Sequence, residues 1–147
     1  MSTDENKAIV QRWFSDVVSR GDMESLDAIC AVCHPQFEMV RGVVEPAPQG
    51  ITGLKDLITS LRTAFPDLTA SVDEQVAEGD KVVSRVTMTG THKGEFMGMP
   101  ATGKSFMIPG VSIWEVRGGQ LISEWVSWDS MSMMQQLGVV PAAPAQS

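Results

Sequence analysis

The chain has 147 residues, with 18 acidic and 11 basic side chains and a formal net charge of −7. This length suits one domain that buries most of its apolar surface in a single core. The acidic balance argues against nucleic acid or an anionic membrane as a partner, because both bind basic patches. The sequence has no apolar run long enough for a membrane span and no apolar signal core behind its polar start, so we expect a cytoplasmic protein.

The first part of the chain favours helices. Apolar residues at helical spacing predict a first helix over about Asp4–Arg20. Asp22 is the predicted cap of a second helix over about Met23–Cys33, which precedes a short strand at Phe37–Arg41. A third helix is predicted over about Gly53–Phe65 with Thr52 as its cap.

The second part of the chain favours strands joined by Gly-containing turns. The strands are predicted at Leu68–Ala77, Lys81–His92, Phe106–Val116 and Gln120–Trp128, before a last helix over Ser130–Leu137. Helices followed by strands indicate an α+β fold, with the helices packed on a curved antiparallel or mixed sheet. This arrangement forms a cone with an internal pocket. We expect one domain over residues 1–140 and a flexible Pro-rich tail over residues 141–147.

Segments along nearly the whole chain are similar to one protein family. These are RWFSDVVSRGDMESLDAI, HPQF, GLKDLITSLRTAFPDL, VAEGDKVVSRVTMTGTHKGEFMGMPATGK, GVSIWEVRGGQLISEW and QQLG. In these segments the chain resembles the SnoaL-like polyketide cyclases, or ester cyclases, which have the nuclear-transport-factor-2-like (cystatin-like) α+β cone fold. The resemblance implies polyketide-like substrates and no cofactor. It does not fix the activity, because this fold hosts isomerases, hydrolases, cyclases and binding modules.

The alternation of side chains along the strands predicts which residues face the pocket. The even-numbered faces are the more apolar, so we expect them to be concave; on the last strand this face would carry Ile122, Glu124, Val126 and Trp128. The substrate-binding residues expected from these faces and from the resemblance are Trp114, Val126, Trp128, Met88, Phe106, Met39, Ser60 and His34.

The opposite face of the last strand also carries apolar residues, Leu121 and Trp125. Large apolar patches on a surface usually mark interfaces, so we expect a homodimer that covers this face and the Met-rich last helix. The expected ligand is a small hydrophobic molecule.

Glu124 is the acid that this pattern places on an otherwise apolar strand face. Burial there would raise its pKa, because desolvation disfavours the charged form. Such a carboxyl group could transfer protons near neutral pH. Alternatively, Glu124 lies at the open rim of the cone, where it is solvated or paired with an arginine or lysine.

The resemblance also shows where this chain departs from the characterised cyclases. Their catalytic aspartate matches Val126, a pocket histidine matches Ser112 and a pocket glutamine matches Gly110. One hypothesis is therefore a cofactor-free cyclase or isomerase in which Glu124 carries the proton and Ser112 donates a hydrogen bond to a developing oxyanion. The other is a non-enzymatic small-molecule-binding protein or an orphan scaffold.

Two short motifs match ligand sites without the expected context. Gly98–Ser105 fits the phosphate-binding string G-x-x-x-x-G-K-[ST], yet a strand with a proline, and not a helix, is predicted after it. Cys30–His34 fits the haem-attachment string C-x-x-C-H at the end of a predicted helix, where buried free thiols are the simpler interpretation. We expect that the protein binds no nucleotide, haem or metal. Asp129 is expected to cap the last helix, and the role of His92 stays open.

Overall fold

The computed structural model describes residues 2–30, 39–40 and 50–139. Four α-helices are present in these ranges: α1 (Thr3–Arg12), α2 (Met23–Ile29), α3 (Gly50–Ala64) and α4 (Ser130–Leu137). A π-helical segment, Trp13–Val18, follows α1 directly. None of the helices in the described ranges is long and apolar enough to cross a membrane.

Five strands form one mixed sheet. They are β1 (Met39–Val40), β2 (Thr69–Glu78), β3 (Lys81–Thr91), β4 (Ser105–Arg117) and β5 (Gln120–Trp128). Their order across the sheet is β1-β5-β4-β3-β2. Strand β1 is parallel to β5, and the other neighbours are antiparallel. The predicted α+β class is confirmed.

The helix bounds differ from the sequence prediction in three places. The single helix predicted over Asp4–Arg20 changes to π geometry at Trp13, and the Ser19 N–H donates to the Phe14 carbonyl five residues earlier at 3.0 Å. Helix α2 ends at Ile29, short of the prediction, although Asp22 caps it as expected. Helix α3 begins before Thr52, so this residue lies within the helix and does not cap it.

A β-bulge on β5 changes the predicted parity of that strand. Glu115 pairs with Ser123 while Val116 pairs with Leu121, so Ile122 is the extra residue between them. Leu121 is consequently buried on the helix side of the sheet. The sequence predicts that Ile122 shares one face with Glu124, and the bulge interrupts that alternation. The bulge therefore explains why the odd-numbered Leu121 belongs to the core, although its position in the sequence predicts the outer face.

The core lies between the helices and the even-numbered faces of β3 and β4, which are buried at alternate residues. At one end, the rings of Trp13 and Trp114 meet edge to face with centroids 5.2 Å apart. At the other end, the Phe65 ring contacts the rings of Phe96, Phe106 and His92. This two-layer arrangement confirms the even faces of these strands as the core side.

The segment that matches the phosphate-binding string connects two strands. Ser105 begins β4, so strand and not helix follows the motif, as the sequence predicts. The backbone of this connection is tied to β3, because the Gly103 N–H donates to the His92 carbonyl at 2.9 Å. The Lys104 ammonium lies beside Gly138, the residue that ends α4. The lysine thus sits at a helix C-terminus, where a cation is favoured.

Arg62 joins the ends of several elements. Its guanidinium donates to the carbonyl oxygens of Val18, Ser19, Pro66 and Leu68 at 2.9 to 3.1 Å. Gly21 makes room for this side chain: a Cβ there would lie 2.8 Å from Arg62 Cδ, and the backbone φ of +69° also favours glycine.

We expect Arg62→Met to lower the free energy of unfolding by about 2–4 kcal/mol, because four carbonyl groups, three of them in partly buried hydrogen bonds, would lose a charged donor. Urea unfolding measures the change. Arg20→Met is the matched control, since the Arg20 side chain is 71% exposed and makes one long ion pair. Equal effects of the two substitutions would contradict the structural role of Arg62.

Candidate active site

A cavity of about 40 Å³ lies between the helices and the concave face of the sheet. The π-helical segment, α3, β3 and β5 supply its walls. The described residues that line it are Trp13, Phe14, Val18, Leu57, Ile58, Leu61, Met88, Glu124, Val126 and Trp128. All but Glu124 are apolar apart from the indole N–H groups, so an apolar ligand with one polar group suits this site.

The π-helical segment brings three of these residues to one wall. In a π-helix the backbone hydrogen bond spans five residues, so the turn is wider than in an α-helix. Trp13, Phe14 and Val18 consequently line the cavity together. The Ser19 hydroxyl supports this turn by donating to the Phe14 carbonyl at 2.7 Å. Sequence periodicity indicated that these residues are apolar and helical, but not the wider turn.

Glu124 is the acid at the inner side of the cavity. Its side chain is 3% exposed and accepts a hydrogen bond from the Ser112 hydroxyl at 3.2 Å. Burial raises the pKa of Glu124 to about 8, and the Ser112 hydrogen bond lowers it by a smaller amount. No ion pair to Glu124 is formed within the described ranges, and Arg85 instead contacts Asp73 and Glu74. The sequence alternative of a solvated or cation-paired acid does not fit this geometry.

The register of β4 and β5 sets the neighbours of Glu124. Trp114 is its cross-strand partner, and Ser112 pairs with Val126. The Ser112 hydroxyl therefore reaches Glu124 along the diagonal of the sheet. A carboxyl group near its pKa, with an adjacent hydroxyl, is able to take or give a proton at neutral pH.

Gly110 and Trp128 form the next pair in this register. The Trp128 indole lies against Gly110 so closely that a Cβ on residue 110 would be 2.1 Å from its Cε3. The position that the resemblance aligns with a pocket glutamine is thus covered by an aromatic ring.

Cys30 lies near the same acid and is a buried free cysteine. Burial, followed by the charge of Glu124 and then Asp27, raises the pKa of the Cys30 thiol to about 12. A thiol held protonated in this way is a poor nucleophile at neutral pH. Cys33 and His34 lie outside the described residues.

The structure brings together part of the predicted site. Glu124, Met88, Val126 and Trp128 line the cavity, and Ser112 and Trp114 are buried directly beside Glu124. The other predicted residues lie elsewhere or are not described.

Phe106 packs on Phe65 with ring centroids 5.1 Å apart, away from the cavity. Ser60 lies on the exposed side of α3, one position from the buried face that holds Leu61. Both placements depart from the predicted substrate-binding set. Met39 pairs through its backbone with Glu124, but its side chain is outside the described part of the chain, as is all of His34.

The residues that the sequence argument left open have structural contacts. Asp129 accepts a hydrogen bond from the Ser132 N–H at 3.1 Å and caps α4, as predicted. His92 is buried, with Nδ1 3.2 Å from the Thr102 hydroxyl oxygen. Among residues 2–30, 39–40 and 50–139, no group of three or more histidine, cysteine, aspartate or glutamate side chains could hold a metal ion.

Comparison with known proteins identifies the family. The sequence profile of the SnoaL-like polyketide cyclases matches residues 8–137, so the chain belongs to this family. No curated protein is significantly similar. Many solved structures are similar to this chain, and in the three described next the match covers most of both chains.

TsrD from Streptomyces laurentii is 25% identical with a TM-score of 0.82, and the match covers 95% of this chain and 99% of TsrD. AclR from Streptomyces galilaeus, described as a candidate hydroxylase, is 26% identical with a TM-score of 0.80, covering 97% and 87%. IdmH from Streptomyces antibioticus, described as a candidate polyketide cyclase, is 28% identical with a TM-score of 0.76, covering 90% and 98%.

The buried acid predicts an unusual dependence of stability on pH. The pKa of Glu124 is about 8 in the folded protein, against 4.5 as the ordinary value. Between these values the folded state holds a proton that the unfolded state has lost, so stability falls as pH rises, by about 1.4 kcal/mol per pH unit. Glu124→Gln removes this loss. We expect the variant to match the wild type near pH 5 and to exceed it by about 2–4 kcal/mol at pH 9.

Urea unfolding of both proteins from pH 5 to pH 9 measures this difference. Glu74→Gln is the control, since the Glu74 side chain is 66% exposed on the outer face. A difference between wild type and Glu124→Gln that stays constant with pH would show that the carboxyl group is not held neutral by the fold.

Proposed function

We propose that this member of the SnoaL-like polyketide cyclase family is a cofactor-free acid/base enzyme that cyclises or isomerises a small, hydrophobic, polyketide-like substrate. The observation that carries this proposal is the buried Glu124 carboxyl group, which is hydrogen-bonded to Ser112 in an otherwise apolar cavity. A pKa near the ambient pH is the condition for efficient proton transfer.

The proposed reaction is a proton transfer at a carbon next to a carbonyl group. The Glu124 carboxylate takes this proton, and the electron pair of the C–H bond forms an enolate. In a cyclisation, the enolate carbon attacks a second carbonyl group of the same molecule and forms a C–C bond. The resulting alkoxide then takes the proton back from Glu124. The sum is an isomerisation that needs no oxidant, reductant or co-reactant.

Ser112 has the position of an assisting donor. Its hydroxyl lies 3.2 Å from a Glu124 oxygen and stabilises the ionised form of that acid. In the match that the resemblance implies, Ser112 stands where the characterised cyclases have a histidine, and Val126 stands where they have an aspartate. We propose that Glu124, two residues earlier on the same face of β5, takes the role of that aspartate, because residues two apart on a strand share a face.

A second candidate function is non-enzymatic binding of a small hydrophobic molecule. The absence of a polar side chain at Gly110 and Val126, together with the small cavity, favours this alternative. A neutral Glu124 would then serve as a single hydrogen-bond partner for a ligand carbonyl group.

Exchange of protons for deuterium next to the carbonyl group of compact β-diketones, followed by NMR in D₂O, tests the proposed reaction. We expect the wild-type rate to rise with pH up to about 8, where the carboxylate becomes the major form. Glu124→Gln should lower the enzyme-dependent rate by about 100-fold or more. Ser112→Ala should move the midpoint of the pH profile upward, since it removes a hydrogen bond that lowers the pKa of Glu124.

Glu74→Gln, on the outer face, should leave the rate unchanged. Enzyme-dependent exchange that survives Glu124→Gln would contradict the assignment of the base. Saturable binding of these diketones without any exchange would favour the binding protein over the enzyme.

We also propose that a second copy of the chain covers the outer face of the sheet. Cross-strand neighbours Val76, Val83, Ile113 and Trp125 form an apolar row across β2 to β5. Val76 is 62% and Trp125 40% exposed. A two-fold axis would place this row on itself, which suits a self-complementary contact. The Arg85 guanidinium on this face is paired with Asp73 and Glu74 of the same chain.

Light scattering at micromolar concentration should show a dimer, and Trp125→Lys should convert it to a monomer of unchanged fold by burying a charge at the contact. Lys55→Trp, on α3 and away from this face, is the control for an exchange between lysine and tryptophan outside the proposed contact. A monomeric wild-type protein would end the proposal of a second copy.

A further inference from the structure

Two of the described residues that line the cavity also reach the surface of the protein. Of the ten described side chains that line it, Leu57 on α3 and Trp128 on β5 are partly exposed, and the other eight are buried. These two side chains are therefore the described parts of the wall that can move toward solvent without leaving the core. Trp128 is the larger of the two and has the closer fit to the sheet.

The indole of Trp128 takes the space that a side chain on residue 110 would need. A Cβ added to Gly110 would lie 2.1, 2.4 and 2.7 Å from three indole atoms, distances at which no real Cβ is found. Gly110 is buried and its backbone is ordinary strand, so the need for glycine is steric and not conformational. The ring and the missing side chain form one unit across the β4–β5 pair.

The volume of the cavity is small beside that of known ligand sites. About 40 Å³ has room for one to three water molecules or a small group. Pockets for drug-sized ligands occupy roughly 300–1,000 Å³. A polyketide-like molecule of several rings does not fit while the walls stay where they are. A ligand of that size therefore requires one of the described walls to move.

We infer that Trp128, seated on Gly110, determines the size of the ligand that this cavity admits. With the indole on Gly110, the site accepts a compact, uncharged, hydrophobic group. A planar aromatic or polyene ligand binds when the indole leaves Gly110, and it then occupies the space above the glycine. The inference rests on the proposed function only in taking this cavity as the ligand site.

A different role for the ring would leave another signature. If Trp128 only packs against the sheet, its removal destabilises the protein without creating a binding site. If it limits ligand size, its removal creates binding of a larger apolar molecule in a protein that stays folded. Met97 in the connection between β3 and β4 is 54% exposed and lies outside both the cavity lining and the proposed dimer contact, so it provides a control for the loss of a large apolar side chain.

Fluorescence titration with N-phenyl-1-naphthylamine, a neutral two-ring probe, tests the inference. We expect Trp128→Ala to bind the probe at least 10-fold more tightly than the wild type, and Met97→Ala to bind it like the wild type. Circular dichroism and thermal unfolding establish that each variant is folded. Equal binding by wild type and folded Trp128→Ala, or equal gains in Trp128→Ala and Met97→Ala, would overturn the inference.

Gly110→Ala is the second variant, for use if Trp128→Ala does not fold. Its methyl group overlaps the indole and displaces it, so the probe should again bind more tightly than in the wild type. A folded Gly110→Ala protein without this gain would overturn the inference in its turn.

The proposed function is tested separately in the double variant Trp128→Ala with Glu124→Gln. Probe binding should persist in this double variant, because Glu124 forms no hydrogen bond with Leu57 or Trp128 within the described part of the chain. Loss of proton exchange with retained probe binding supports both statements. Retained exchange with retained probe binding rejects the acid/base role and leaves the size limit in place.

Discussion

The antiparallel register of β4 against β5 determines which side chains of these two strands meet at the candidate site. It pairs Gly110 with Trp128, Ser112 with Val126 and Trp114 with Glu124. All three pairs lie on the concave side, so a shift of β5 by one residue would turn its members of these pairs outward. The tight turn at Gly118 and Gly119, both with positive φ, connects the two strands and restricts this register.

The bulge at Ile122 adjusts the register within the hairpin. Near the turn, Leu121 is buried on the helix side, and beyond the bulge Glu124 and Val126 are buried. Without the extra residue, Leu121 would share the outer face with Trp125. The bulge therefore allows the strand to bury a leucine at one end and an acid in the middle.

Much of this could be predicted from the sequence. Period-two alternation in β3 and β4 gave the concave face, and helical spacing gave most of the helices. The position of Glu124 followed from counting along β5 from Val126 and Trp128. These patterns are local, so one sequence is enough to recognise them.

The remaining features depend on contacts between distant segments. The bulge is set by pairing with β4, and the π turn at Trp13 needs the packing of that segment on the sheet. Ser60 was misplaced because its side of α3 depends on how the helix rotates over the sheet. Phe106 has the correct parity but lies at the Phe65 end of the core, a distinction of position along the strand that alternation cannot make.

The surroundings of Glu124 also restrict the charge of a ligand. At pH 7 a carboxyl group with a pKa of about 8 is about nine-tenths protonated, so the cavity is neutral in its major form. A neutral apolar ligand in the cavity would desolvate the acid further and favour the protonated form. An anionic ligand would prevent the later loss of that proton, and a cationic one would force its early loss. Under the proposed function the reacting form is the ionised carboxylate, about one-tenth of the molecules at pH 7, and an uncharged substrate leaves that form free to take a proton from the carbon next to the carbonyl group and to return it afterwards.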